Sequence, residues 1–312
     1  MVARCAQSKV ALMNAPVLSI RDLVVEIPTR HGVLRPVDHV SYDIGRGEIL
    51  GVVGESGAGK SMTGNAVMGL LERPARIVSG EVLLSRTPVH NKRQDELRAI
   101  RGKKMGMIFQ DPLTSLNPLL SVGAQLVETI LEHLPVSIAE AQERAVKALE
   151  EVGIPAARAR INSYPHEFSG GMRQRVVIAL ALCAEPEFIV ADEPTTALDV
   201  SVQAQIIALL KRLCRERGLA VMLVTHDMGV IAEAADRVAV MYAGRVVELG
   251  PVRDVLTDAR HPYTSGLMAS TPLARKGQKR LRQIPGAMPR LGQLPEGCAF
   301  APRCAWAKER CR

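Results

Sequence analysis

The chain has 312 residues, 47% hydrophobic and 3% aromatic, with 40 Lys+Arg against 32 Asp+Glu for a net charge of +8. This is enough to bury a full core, as one large domain with an appendage or as two domains. The longest unbroken apolar run, 176–184, is about half of a bilayer crossing. Basic residues form no long block and aromatics are too scarce for single-strand stacking, so the composition argues against a membrane-spanning protein or a nucleic-acid binder.

In chain order, the first sixteen residues hold only a short apolar stretch, 10–13, and no cleavage-site pattern, so a cytoplasmic protein is expected. Residues 18–27 and 47–53 read as strands bounded by Pro28, Gly32 and Gly45. The segment 54–61 opens a helix running toward Leu71, and a second strand group follows position 80. Ser137 and Glu140 make a capping box, with Ala145, Leu149 and Val152 on one helical face and Gly153 and Pro155 as stop signals. Around it, 112–184 contains no convincing strand and reads as a helical insert. The runs 188–191, 220–225 and 238–241 are continuously apolar, as parallel strands buried on both faces are, with helical pattern between them. After Gly250 the periodicity fades into a Pro-rich, basic extension holding Pro262, Pro272, Pro285, Pro289, Pro295 and Pro302.

The segment Gly54, Glu55, Ser56, Gly57, Ala58, Gly59, Lys60, Ser61 follows the end of a buried strand. Its glycines admit dihedrals closed to other residues, letting successive N–H groups converge on phosphate oxygens. Lys60 supplies a charge for the β- and γ-phosphates and Ser61 a hydroxyl for Mg²⁺, while the following helix points its positive end at the anion. The plainer alternative is a glycine-rich turn.

Asp192 and Glu193 end an apolar strand, where one carboxylate can hold Mg²⁺ and the other polarise a water. Gln110, beyond another apolar run, offers an amide to the metal or the water, and His226 follows a third strand within reach of a γ-phosphate. Taken singly these are an acidic turn, a surface Gln and a structural His. Ser169, Gly170 and Gly171 precede a helix and form a second anion site, or simply an N-cap. One nucleotide needs only one such site.

Together these residues resemble the ATP-binding subunit of ABC transporters over about 17–250. Residues 54–61 are similar to Walker A, Gln110 to the Q-loop and 169–171 to the signature. Residues 188–193 match Walker B, 196–199 with Asp199 the D-loop, and His226 the switch histidine. The resemblance implies an α/β P-loop NTPase ABC cassette: a RecA-like core with N-terminal antiparallel strands, a helical subdomain inserted at about 112–184, and an irregular C-terminal extension. The implied domains are a tail, 1–16, the ATPase, 17–250, and the extension, 251–312. The implied activity is ATP hydrolysis by a head-to-tail pair, each ATP lying between one subunit's Walker A and the other's signature. Glu193 serves as base, His226 and Gln110 place γ-phosphate and water, and Ser61, Gln110 and Asp192 hold Mg²⁺. Met172 departs from the usual signature Gln, and the stretch 30–35 upstream of Walker A holds no aromatic to stack on adenine, leaving His31 or Leu34.

The Q-loop 110–118, the triad His261, Pro262, Tyr263 and the segment 298–304 resemble the oligopeptide/dipeptide importer branch. That implies two permease subunits, an extracytoplasmic solute-binding protein, an identical or paralogous second cassette, and a peripheral place on the cytoplasmic face of the inner membrane. Nickel or another small solute is the alternative cargo, and a soluble ABC ATPase acting on nucleic acid or ribosomes the alternative of another class. Of six cysteines, Cys5, Cys183 and Cys214 read as ordinary thiols. Cys298, Cys304 and Cys311 are spaced for soft-metal or iron–sulfur ligation but lack a fourth thiolate, as if the tail were cut short relative to its family.

Overall fold

The computed structural model of the chain describes residues 15–196, 198–271 and 283–312. The apolar stretch 10–13, Cys5, Ala197 and Pro272 lie outside them. Ten strands form among the described residues: β1 (Leu18–Thr29), β2 (Gly32–Ile44), β3 (Ile49–Val53), β4 (Arg76–Leu84), β5 (Thr87–Pro88), β6 (Met105–Ile108), β7 (Phe188–Asp192), β8 (Ala220–Val224), β9 (Arg237–Tyr242) and β10 (Arg245–Pro251). Two compact units result, one of residues 1–91 with 222–312, the other of residues 92–221.

The first unit carries an antiparallel sheet ordered β2-β1-β4-β5, with β1 and β2 paired from Leu18 opposite Ile44 to Thr29 opposite Gly32. Val37, Val40, Tyr42 and Ile44 bury one side of β2, while His39, Ser41 and Asp43 alternate with the last of them toward solvent. Strand β3 is buried along its whole length and runs parallel to β9, from Leu50 opposite Arg237 to Val53 opposite Val240. Its continuous apolar character is what burial on both faces demands. Strand β10 closes onto β9 antiparallel, and Thr225, just past β8, donates its N–H to Val52 O at 3.1 Å.

Beyond Gly250 the chain forms two short helices, Val252–Thr257 and Pro262–Ser270, and from residue 283 on only three single 3-10 turns. This extension is anchored by aromatic packing. Phe300, 4% exposed, has its ring centroid 5.3 Å from Tyr242, 5.4 Å from Tyr263 and 5.9 Å from His261. In a chain so poor in aromatics, such a cluster concentrates much of the available ring burial in one place.

The second unit is mostly helical. Strands β6 and β7 pair in parallel, Met105 opposite Phe188 through Ile108 opposite Ala191, and no strand occurs between them, in accord with the helical reading of 112–184. Helix Val122–His133 starts at Ser121, whose hydroxyl accepts from Ala124 N at 3.2 Å, and helix Ile138–Glu151 at Ser137, which accepts from Glu140 N at 3.2 Å. Leu126, Ile130, Ala141, Ala145 and Leu149 are fully buried. The apolar run 176–184 belongs to helix Gly170–Leu182, with Val176, Val177, Ile178, Ala179 and Leu182 in the core. Among the described residues no helix is long and apolar enough to cross a membrane.

Candidate ATP site

In the first unit, β3 delivers the chain into the loop at Gly54. Glycine is obligatory at two points. A Cβ on Gly54 (φ +154°) would lie 2.2 Å from Met241 O, and one on Gly59 (φ +102°) 2.2 Å from Pro36 O. Gly59 is also the N-cap of helix Lys60–Met68, which stops before Leu71 because Gly69 takes the left-handed conformation (φ 65°). Lys60 is 6% exposed, and its Nζ donates to Gly54 O at 2.9 Å and Glu55 O at 3.0 Å, drawing the loop into a ring about the ammonium. Ser61 opens the same helix on an exposed face. His226 is exposed between Thr225 and Asp227, whose own N–H is fixed by Thr225 Oγ1 at 3.0 Å. Since Thr225 bonds the main chain of Val52, the strands preceding His226 and Gly54 run side by side.

In the second unit, the parallel register of β6 and β7 brings their C-terminal ends together. Gln110 Nε2 donates to Glu193 Oε2 at 3.1 Å. Thr196 Oγ1 donates to the same oxygen at 2.9 Å, and Thr196 N to Glu193 O at 3.1 Å. Glu193 is held in the left-handed region at φ +47°. A non-glycine residue there costs of order 1–3 kcal/mol and persists only where its surroundings over-determine it. Asp192, half-buried, is the last residue of β7.

Ser169 caps helix Gly170–Leu182, accepting from Met172 N at 3.3 Å. A Cβ on Gly171 would meet Val202 Cγ1 at 2.7 Å, whereas nothing lies within 4 Å of one on Gly170. Asp199 caps helix Val200–Arg217, accepting from Val202 N at 2.9 Å and Ser201 Oγ at 2.6 Å. The Ser201 hydroxyl, then the Val202 N–H, hold its carboxyl below the usual range.

Residues 37–196 match the ABC transporter family model. The chain belongs to the ABC transporter family. A second model, oligopeptide/dipeptide transporter, C-terminal region, matches residues 247–311. The oligopeptide transport ATP-binding protein OppD of Bacillus subtilis (strain 168) is 48% identical over 93% of this chain and 82% of its own length. OppD of Salmonella typhimurium is 48% identical over 94% and 88%. Among solved structures, the dimeric post-hydrolysis ATP-binding cassette MJ0796 with ADP and Pi superposes with a TM-score of 0.68 at 30% identity, over 76% of this chain and 99% of that one. As an ABC cassette the chain is an ATP-binding ATPase.

Leu34 packs toward the extension, with its Cδ2 3.2 Å from where a Cβ on Gly292 would sit. Cys298, Cys304 and Cys311 fall in one segment, tied by Cys298 N to Cys311 O at 2.9 Å. Yet among the described residues no group of three or more His, Cys, Asp or Glu is placed to hold a metal ion. The iron–sulfur cluster expected on these three thiols therefore finds no support among the described residues. What sequence reasoning missed is Arg303, whose guanidinium grips Glu55 of the loop after β3. Its position after Pro302 in the extension carried no signal of that reach.

Proposed function

We propose that this ABC cassette is the ATP-hydrolysing subunit of a peptide importer. The observation that carries the cargo class is the match of residues 247–311 to the oligopeptide/dipeptide transporter C-terminal region. Relatives named as oligopeptide transport proteins, similar along nearly the whole chain, support the same reading.

Within it, the N–H groups of 54–61 and the Lys60 ammonium bind the triphosphate and neutralise charge developing on the γ-phosphoryl oxygens. Ser61 hydroxyl, Gln110 amide oxygen and Asp192 carboxylate are hard oxygen donors of the kind Mg²⁺ prefers, and by the family pattern they are the residues that would hold it. When bound, Mg²⁺ stabilises charge on the phosphate oxygens. Glu193 takes the proton of the attacking water, Gln110 and Thr196 hold its carboxylate in one orientation, and His226 orients the γ-phosphate. Ser169, Gly170 and Gly171 contact the ATP of a second cassette, identical or paralogous, in a pair like that of MJ0796. Two permeases and an extracytoplasmic solute-binding protein complete the importer, with the cassette peripheral on the cytoplasmic face of the membrane.

Co-purification with permeases, followed by ATPase assays in nanodiscs with binding protein, tests the proposal. Stimulation by peptide but not by Ni²⁺ is expected; stimulation by Ni²⁺ alone, or failure to capture any permease, contradicts it.

A further inference from the structure

Glu55 stands at a place the phosphate-loop pattern leaves unspecified, yet the C-terminal extension bonds both its side chain and its main chain. Arg303 Nη1 donates to Glu55 Oε2 at 2.9 Å and Nη2 to Oε1 at 3.1 Å, a two-pronged pairing. The other guanidinium hydrogens are also engaged: Nε donates to Pro285 O at 2.8 Å, Nη1 to Tyr242 OH at 3.3 Å and Nη2 to Gly286 O at 3.3 Å. A guanidinium has five N–H donors, and here each has an acceptor. The side chain is 6% exposed and lies 5.8 Å from the Tyr242 ring centroid and 5.9 Å from that of Phe300.

A second contact acts on the loop's main chain. Glu55 N–H donates to Tyr263 OH at 2.9 Å. Tyr263 is fully buried, and burial pushes its phenol above the ordinary value, so it stays a neutral acceptor. Farther along, Met288 Cε lies 3.1 Å from where a Cβ on Gly57 would sit. Three separate points of the extension thus touch residues 55–57.

A loop that binds phosphate through main-chain N–H groups gains affinity when those groups are already oriented, because ordering need not be supplied by the ligand. We propose that Arg303, assisted by Tyr263, is a positioning residue for ATP: through Glu55 the C-terminal extension holds the phosphate loop in its binding geometry. This rests on the reading of 54–61 as the phosphate loop.

The test uses purified full-length chain, with equilibrium ATP binding and steady-state ATPase assays on Arg303→Gln, Arg303→Lys, Glu55→Gln and the double variant Arg303→Gln/Glu55→Gln. A charged two-pronged contact predicts that Arg303→Gln raises Kd and KM for ATP by roughly 10-fold or more, with kcat at saturating ATP changed by less than about 3-fold. Glu55→Gln shifts Kd in the same direction, and the double variant is no worse than the worse single, as residues acting on one contact require. Arg303→Lys recovers only part of the affinity, lacking the fork.

Unchanged ATP affinity in Glu55→Gln, or additive losses in the double variant, overturns the proposal. If Arg303→Gln does not fold, Arg303→Lys and Glu55→Gln decide. Lys60→Ala separates the two levels of reading. Loss of ATP binding there, with Arg303 and Glu55 variants unaffected, leaves the loop assignment standing and removes only the brace; retained binding removes the loop assignment itself.

Discussion

Glu193 combines a left-handed backbone with a carboxylate oxygen shared by Gln110 and Thr196. A side chain so fixed suits a general base, whose value depends on its aim at one water. Removing such a group typically costs about 10² to 10⁴ in rate. Glu193→Gln is therefore expected to lower ATPase kcat by that factor while ATP remains bound; turnover near the unmodified rate, measured on purified protein, would remove Glu193 from the role. Of the candidate site, the turn after β3 was legible from sequence because its parts are neighbours in the chain: Gly54, Gly59 and Lys60 form one continuous turn. The partner of Glu55 was not legible, because Arg303 lies 248 positions away and nothing local distinguishes it from other basic residues of the extension.

Among the elements, the strands were the most readable, since burial on both faces leaves a continuous apolar run; β3, β7, β8 and β9 all fall where such runs occur. The extension was least readable, because it is held by aromatic packing and side-chain caps rather than by a periodic face. Helix Pro262–Ser270 shows why. Its N-cap is His261, whose Nδ1 accepts from Tyr263 N at 3.1 Å, while Glu248 accepts from Arg260 N at 2.8 Å and His261 N at 3.0 Å. An imidazole that accepts at Nδ1 must be neutral. Burial lowers the His261 pKa, an effect the nearby Glu248 carboxylate partly offsets. The proton thus binds the undocked form more tightly, so the cap's contribution is complete above the ordinary histidine value of about 6.5 and fades as pH falls through and below it. Hydrogen exchange at the Tyr263 amide is expected to quicken between pH 7.5 and 5.5, after correction for intrinsic rates. His261→Asn, which retains a side-chain acceptor, should flatten that dependence; an equal response in both proteins would exclude His261 as its source.

For the whole molecule, the role proposed for Ser169, Gly170 and Gly171 is that of a second anion site beyond what one triphosphate requires. A paired cassette gives that site a purpose, and blocking hydrolysis should accumulate the pair. Size-exclusion chromatography with light scattering is expected to show Glu193→Gln shifting from monomer to dimer on adding ATP, with Ser169→Arg abolishing the shift. A paralogous partner would require both chains in the experiment. Persistence of the dimer in Ser169→Arg would place the interface elsewhere.

The fully engaged guanidinium of Arg303 leaves it no tolerance for a changed neighbour. A chain that lost the acid at position 55 would strand a buried cation, and one that lost the cation would leave an acid with no counter-ion beside incoming phosphates. Across an alignment of peptide-importer cassettes the two positions are therefore expected to co-vary as a unit, present together or replaced together, whereas cassettes ending before such an extension should show no preference for Glu at the second place of the loop.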